Sequence, residues 1–330
     1  MKIKTLFSFL IRKIIRMLSL LAVLCLLCFW LMSQSPIDPV RAYVGADMML
    51  VGPEQRAQIV EYWGLDKSPV EQGIHWASAL LNGDLGTSLI FRRPVGEVIK
   101  ERFLASLALM GLAWVFSGVF GFLMGIIAAM KQGSWVDRLI KWFCFILAST
   151  PTFWLGLLML IIFSVWLGWF PIGLGVPAGM LVSDVTLGDR IYHLILPALT
   201  LSIIGVANVA LHTRQKLLDV LNSDYVLFAR AQGEEGRVLF WRHGLRNVAL
   251  PAITLQFASF GELFGGSVLA EQVFSYPGLG QAIVQAGLRG DLPLLLGIAI
   301  FSALFVFTGN LIADLIYQVV DPRIREGAAI

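Results

Sequence analysis

Charged residues are scarce in this sequence, and so are the residue types that commonly build metal sites. Only 14% of its 330 residues are Asp, Glu, Lys or Arg, whereas soluble domains average about 25%. The chain has four histidines, scattered along its length, and three cysteines. Cys25, Cys28 and Cys144 lie inside apolar runs without further ligands nearby, which favours simple packing over a zinc or redox role. A soluble domain and a metal centre are therefore not expected.

The motifs of several common enzyme classes are also absent. The sequence has no GxxxxGK[ST] phosphate-binding loop, no HExxH zinc motif and no GxSxG nucleophile elbow. We therefore expect this chain to contain no catalytic site and no cofactor of its own. An intramembrane hydrolase has no supporting residues, and no nucleic acid is expected among the partners.

Long apolar segments, by contrast, fill most of the sequence. Hydrophobic residues make up 57% of the chain, and the mean hydropathy is +0.78. A segment of about 20 apolar residues can cross a hydrocarbon core of about 30 Å. The pattern therefore predicts an all-α membrane protein with six transmembrane helices. They lie at about residues 14–32, 103–130, 138–167, 194–216, 247–273 and 293–319.

The N-terminal segment allows two interpretations. A basic start, an apolar middle and Ser33-Gln34-Ser35 fit a cleaved signal peptide. A retained first span, with Arg16 reaching the interface, is preferred because cleavage would leave an odd number of spans. Six spans with both termini in the cytoplasm leave only Arg190 and Arg289 as basic residues of the two short outside loops. That asymmetry agrees with the positive-inside rule.

These spans divide the chain into four parts. The parts are an N-terminal amphipathic segment with the first transmembrane helix (1–33), an external insert (34–102), a five-helix core with a cytoplasmic loop at 213–247 (103–320), and a cytoplasmic tail (321–330). Within the insert, Pro53 and Pro69 predict the starts of two helices, which end near Gly64 and Asn82. The insert is either a plain loop or an ordered platform for an external partner.

The segment SDYVLFARAQGEEGRVLFWRHGLRNVALP, residues 223–251, concentrates charge between two apolar spans. It predicts two short helices joined at Gly233, with apolar positions recurring at helical spacing in each. A short helix with one apolar and one basic face lies on a membrane surface or in a groove of a partner. Because this segment joins two spans, a partner that moves it moves the spans, and we call it the coupling hairpin. Its predicted coupling residues are Tyr225, Phe228, Ala229, Arg230, Gly233, Arg237, Arg242 and His243.

A carboxylate stands near the middle of the fifth predicted span. Glu262, in FGELFGG, would cost about 2.5–3.5 kcal/mol in lipid, so it should face the bundle interior or a wet cavity. It is either a packing group that locks two helices or a pathway group that meets a polar or cationic substrate. Weaker pathway candidates are Asn208, Glu271 and Asn310, while Asp314 is expected to pair with Arg323 or Arg325.

Several motifs in order resemble the permease subunits of binding-protein-dependent ABC importers, in the dipeptide, oligopeptide and nickel group. The hairpin resembles the cytoplasmic coupling loop of that group, with Gly233 at its signature glycine. SPIDPV, WGLDKSPVEQ and NGDLGTSL resemble the external insert that follows the first span of the group. VFSYPGLGQAIVQAG, NLIADLIY and DPRIR resemble its last third. One departure is Glu234-Glu235-Gly236, where relatives carry a more basic or apolar turn.

The resemblance implies the type I ABC importer permease fold in a bacterial inner membrane. It also implies a second homologous permease, an extracytoplasmic solute-binding protein, and two cytoplasmic ATPase subunits that bind ATP and magnesium. The helix around Tyr225–Gly233 would sit in a groove of an ATPase. FGELFGG resembles nickel-type members, so nickel or a metal chelate is slightly preferred over di- or oligopeptides as substrate, with Glu262 as the candidate ligand.

An ion-coupled secondary transporter is the alternative from a different functional class. Glu262 and Asp314 would then form a proton or sodium relay. This alternative leaves the coupling hairpin without a role, and the sequence shows no inverted repeat of the kind common in such transporters.

Overall fold

The computed structural model describes residues 3–34, 40, 52–62, 67–180 and 184–320. Helices form the regular structure in these ranges, together with one β-bridge between Thr87 and Pro94. In chain order they are α1 (Ile3–Ser33), α2 (Pro53–Tyr62), α3 (Pro69–Leu81), α4 (Val95–Met130), α5 (Trp135–Ala148), α6 (Thr152–Met159), α7 (Leu187–Leu221), α8 (Asp224–Ala231), α9 (Arg237–Leu239), α10 (Leu245–Ala258), α11 (Phe260–Val273), α12 (Leu279–Arg289) and α13 (Leu292–Val320). π-Helical segments continue α6 over Leu160–Trp166 and join α9 to α10 over Phe240–Gly244.

The number of described helices that are long and apolar enough to cross a membrane is that of a multi-pass protein. Two helical stretches are long and apolar enough to span a bilayer, Val95–Met130 and Leu292–Ala313. Up to five spans result if each of three bent helix pairs is counted as one. The predicted first span falls on α1, whose side chains are only partly described. The count of six and the four-part division therefore stay predictions, and the tail at 321–330 lies outside the described residues.

Two compact units make up the chain, and the first combines Met1–Ala105 with Gly278–Phe307. Its core is a cluster of buried side chains from α4, α12 and α13: Val95, Val98, Ile99, Leu279, Ala282, Ala286, Leu294 and Ile298. The two helices predicted inside the insert are present as α2 and α3. Ser68 caps α3 in a reciprocal pair with Glu71, as serine before a first-turn proline favours. The predicted end of α2 at Gly64 lies outside the described residues.

A buried carboxylate organises another part of the first unit. Asp291 is fully buried before the start of α13. It accepts hydrogen bonds from the Ser88 hydroxyl at 2.6 Å, the Ile90 amide at 3.0 Å and the Leu294 amide at 3.1 Å. Desolvation raises the pKa of Asp291, and these hydrogen bonds offset only part of that shift. The carboxylate thereby fixes the segment before α4 to the first turn of α13.

The second unit, Ser106–Pro277 with Thr308–Ile330, is built around α7. Two glycines of α4 pack directly against α7, as the small residues of the sequence predict. A Cβ added at Gly125 would lie 2.6 Å from the Ala210 carbonyl oxygen, and one at Gly121 would lie 2.9 Å from the Val206 carbonyl oxygen. Any side chain at these positions would force α4 away from α7. On another face of α7, Cys144 of α5 is fully buried against it, which confirms that this thiol is a packing group.

Three predicted spans are bent. The segment predicted as one span at 138–167 consists of α5 and of α6 with its π-helical continuation, Thr152–Trp166. The axes of these two parts meet at 109°. Pro151 lies at this break: its backbone is extended, with ψ 135°, and α6 begins at the next residue. Proline has no backbone N–H with which to extend the hydrogen bonds of α5. The segment at 247–273 bends by 52° at Ser259, between α10 and α11, and α7 bends by 46° after Ile203.

Helix boundaries also differ from the predicted spans. The helix predicted at 194–216 begins seven residues earlier, at Leu187, because Thr186 and Asp189 form a capping pair there. It contains Pro197 within its length. The helix predicted from residue 103 begins at Val95, so residues 95–102 of the predicted insert belong to it. The helix α12 was not predicted, since its sequence was assigned to a short loop.

Candidate coupling hairpin and transport pathway

The buried face of α8 is held by the chain itself. Val226 is fully buried and Ala229 is 6% exposed, and both contact Leu239 of α9. Half-buried Val220 and Leu221, at the end of α7, complete this cluster. The cluster fixes α8 between the end of α7 and the segment that leads into α10. Ala229 therefore faces its own chain, and its predicted contact with a partner stays a prediction.

The opposite face of α8 is open and largely apolar. Phe228 is 65% exposed, and Tyr225 and Leu227 are each 48% exposed. Arg230 is exposed beside them. Contiguous exposed apolar side chains next to a basic group are typical of a protein contact surface. The predicted residues Tyr225, Phe228 and Arg230 thus share the free face of the helix.

Gly233 ends α8, as the sequence predicts. Its φ is +90°, a conformation that glycine adopts without strain. The Gly233 amide donates to the Arg230 carbonyl at 2.9 Å, and the Glu234 amide donates to the Ala229 carbonyl at 3.1 Å. A Cβ at Gly233 would meet no atom within 4 Å. Backbone conformation, and not space within this chain, accounts for the glycine.

The turn after α8 is tied to the π-helical segment by Glu234. Its carboxylate accepts hydrogen bonds from Arg242 Nη1 and from His243 Nε2, the latter at 3.0 Å. Desolvation raises the pKa of Glu234, but the hydrogen bonds and charges of Arg242 and His243 together hold it below its usual value. The Asn247 side-chain amide also donates to the Tyr225 hydroxyl at 3.2 Å. Two predicted coupling residues, Arg242 and His243, therefore act within the hairpin, while the side chain of Arg237 lies outside the described residues.

The sequence interpretation placed Glu262 facing either the bundle interior or a wet cavity, and the structure shows that it does not face the interior of this chain. Its side chain is exposed on α11. The neighbouring Gly265 has no atom within 4 Å of the position a Cβ would take, so the space beside the carboxylate is open. Since a bare carboxylate facing lipid is unfavourable by about 2.5–3.5 kcal/mol, this face of α11 fits a wet path or a partner surface.

Asn208 lies on a polar stripe of α7. The stripe consists of Asn208, His212, Gln215 and Asp219, which recur at helical spacing and are exposed or half-buried. Gln215 donates a hydrogen bond to Asp219 at 2.9 Å. A Cβ at Gly266 of α11 would lie 3.0 Å from Leu201 of α7, which marks where the two helices touch. Along the chain, Asn208 and Glu262 both fall between this contact and the coupling hairpin, so both line the same end of the unit.

The remaining pathway candidates separate into two classes. Glu271 is fully buried and accepts a hydrogen bond from the Ser106 hydroxyl at 2.6 Å, so it joins α11 to α4. Within this chain Glu271 is not accessible, and its role in the pathway stays a prediction. Asn310 is exposed on α13, whereas the side chain of Asp314, together with Arg323 and Arg325, lies outside the described residues.

Sequence reasoning missed an ion pair that joins α5 to α7. Arg214 donates to both oxygens of Asp137, at 2.7 and 2.8 Å, and Asp137 is 1% exposed. The two residues are 77 positions apart, so no local pattern pointed to the pair. His212, Gln215 and Asp219 were detectable from their helical spacing with Asn208. Within the described part of the chain, no group of three or more His, Cys, Asp or Glu side chains is arranged to hold a metal ion.

Comparison with known proteins assigns the chain to a family. A sequence profile described as "Binding-protein-dependent transport system inner membrane component" matches residues 121–326, and a companion profile for the N-terminal part of such components matches residues 6–110. The chain belongs to this family. The resemblance inferred from the coupling hairpin and the later motifs is thereby confirmed, and such a component works with a binding protein.

Individual relatives of this membrane component cover nearly its whole length. It is 37% identical over 320 residues to the oligopeptide transport system permease protein AppB of Bacillus subtilis (strain 168), with 96% of this chain and 99% of the relative aligned. It is 36% identical over 324 residues to the glutathione transport system permease protein GsiC of Escherichia coli (strain K12), with the same coverage.

Proposed function

We propose that this chain is the transmembrane permease subunit of an ATP-driven importer that moves di- or oligopeptides, including peptide-like thiols such as glutathione, across the inner membrane. The observation that carries the proposal is the alignment over 96% of the chain with relatives named for oligopeptide and glutathione transport. These names favour peptides over nickel or a metal chelate as the substrate. The ion-coupled alternative has no such support.

The exposed face of α8 is the proposed contact with an ATPase subunit. Phe228, Tyr225 and Arg230 would enter a groove of that subunit, while Val226 and Ala229 hold the helix to its own chain. ATP and magnesium would be bound by two ATPase subunits in the cytoplasm. When these subunits close on ATP, α8 would move with them and carry α7 and α10, which it joins. Both termini and the coupling hairpin are then cytoplasmic.

The proposed path runs between this chain and a second, homologous permease. Glu262 and Asn208 are exposed on the isolated chain, although both lie on helices predicted to cross the membrane. A second permease that covers this face would remove both polar groups from lipid and leave them lining a shared path. Asn310 is a further candidate for this lining. A peptide ammonium group meeting Glu262 would gain a charge-assisted hydrogen bond.

Reconstitution tests this proposal. The chain would be purified together with a sister permease, the ATPase subunits and the binding protein of its importer, and placed in proteoliposomes. We expect uptake of a labelled oligopeptide that requires both ATP and the binding protein. Uptake by the purified chain alone, driven by a proton or sodium gradient without nucleotide, would contradict the importer and restore the secondary transporter.

A further inference from the structure

The turn between α8 and α9 contains two glycines at positive φ and, between them, a glutamate that hydrogen-bonds to the segment leading into α10. Gly233 and Gly236 both adopt positive φ, +90° and +54°, and a Cβ at either would meet no atom within 4 Å. Glycine gives the backbone many accessible conformations, so this turn by itself would act as a pivot. A pivot would let α8 tilt without moving the helix that follows.

Glu234 lies between these glycines and bridges the pivot. Its side chain is 19% exposed. One carboxylate oxygen accepts from Arg242 and the other from His243, residues of the π-helical segment that runs directly into α10. The adjacent Glu235 is exposed and has no side-chain hydrogen bond or ion pair to another described residue. The two neighbouring glutamates thus differ in environment while sharing the same charge.

A second contact spans the same gap from the α8 side. The Asn247 side-chain amide of α10 donates to the Tyr225 hydroxyl at 3.2 Å and to the His243 carbonyl at 2.8 Å. The rings of Tyr225 and His243 lie 6.1 Å apart, centroid to centroid. Both contacts therefore converge on the segment around His243, where the chain enters α10.

We propose that Glu234 is a positioning residue: it braces the glycine turn so that α8 and α10 move as one body when α8 is displaced. The inference rests on the proposed function, because it concerns how motion of α8 reaches the membrane helices. Without the brace, displacement of α8 would still reach α7 through the two-residue connection Asn222-Ser223. It would reach α10 more weakly, through the apolar contact with Leu239, the Asn247–Tyr225 hydrogen bond and the flexible turn, and through the packing of the end of α7 against α10.

The carboxylate chemistry matters to this role. A charged acceptor makes stronger hydrogen bonds to Arg and His donors than a neutral amide does, and two oxygens are needed to hold two donors. In Glu234→Gln the amide keeps one acceptor oxygen and presents an NH2 group to the other donor. That variant is similar in size to the native residue but carries no charge: its bond to Arg242 is weaker, and it can hold His243 only by donating to the Nε2 of the neutral imidazole.

The test measures peptide transported per ATP hydrolysed, in proteoliposomes that contain the complete importer. Glu234→Ala and Glu234→Gln are compared with Glu235→Ala and Glu235→Gln, the matched neighbours. We expect about a fivefold or larger fall in this ratio for both Glu234 variants, with ATP hydrolysis and the amount of co-purified ATPase retained. Glu234→Asp, which keeps both oxygens, should recover part of the loss, and the Glu235 variants should match the wild type.

Each outcome decides the proposal. Equal transport-to-hydrolysis ratios for the Glu234 and Glu235 variants would overturn the brace, as would an Asp variant no better than Ala. Loss of ATPase from both Glu234 variants, with the Glu235 variants intact, would assign Glu234 to docking instead of transmission and overturn the proposal as stated. If the wild-type complex shows no ATP-dependent uptake, the proposed function fails, and that result is separate from failure of the brace.

Discussion

Phe228 offers a quantitative test of the docking face of α8. Its side chain is 65% exposed, and an aromatic side chain can bury about 150–250 Å². About 100–160 Å² is therefore still available for a partner, worth roughly 2–3 kcal/mol beyond alanine at about 25 cal/mol per Å². If an ATPase groove covers this side chain, Phe228→Ala should weaken ATPase binding about 30- to 150-fold.

The assay for this prediction is binding of purified ATPase to the permease complex in nanodiscs. Phe145→Ala is the control, because Phe145 is 56% exposed on α5, outside the coupling hairpin. The complex that carries Phe145→Ala should bind the ATPase with the affinity of the wild type. An affinity of Phe228→Ala within about twofold of the wild type, which corresponds to less than roughly 0.5 kcal/mol, would refute the assignment of this face to the ATPase.

The other predictions concern packing, a buried carboxylate and the path. Gly125→Ala should lower the melting temperature of the protein, because the new Cβ would lie 2.6 Å from a backbone oxygen. Gly111→Ala, whose Cβ would have no atom within 4 Å, is the control and should leave the melting temperature unchanged. Equal melting temperatures for the two variants would contradict the close packing of α4 on α7. Asp291→Ala should lower the free energy of unfolding by about 2–4 kcal/mol, since three donors lose their acceptor, and a loss under about 0.5 kcal/mol would show that the contact is dispensable. Glu262→Gln should lower peptide uptake while ATPase assembly stays normal, and unchanged uptake would make the residue a packing group.

The sequence was sufficient for most of the helices and for the end of α8, but not for the second half of the coupling hairpin, which runs without a break into α10. Proline and serine marked the starts of α2 and α3, and Gly233 marked the end of α8, because these residues act through local backbone chemistry. The bends were not predicted. The hydrophobicity of a sequence window gives the length and polarity of an apolar segment. It gives no sign of the 109° turn at Pro151 between α5 and the segment Thr152–Trp166.

The orientation of individual side chains was harder to predict than the helices. Apolar spacing placed Tyr225, Phe228 and Ala229 together on α8, yet burial pairs Ala229 with Val226 and leaves Phe228 outside. A short helix between two surfaces has two apolar faces, and periodicity alone cannot tell which one meets its own chain. Glu262 poses a related difficulty, because a helix face that is exposed on a single chain would become interior if a second permease covered it.

Photocrosslinking at residue 228 tests the central claim most directly. A photoreactive phenylalanine analogue would replace Phe228 in the complete, transport-competent complex, and its adducts would be identified by mass spectrometry. We expect an adduct with the ATPase subunit. Adducts only with lipid or with the binding protein, in a complex that still transports peptide on ATP, would contradict the role of α8 as the contact through which the ATPase moves the membrane helices.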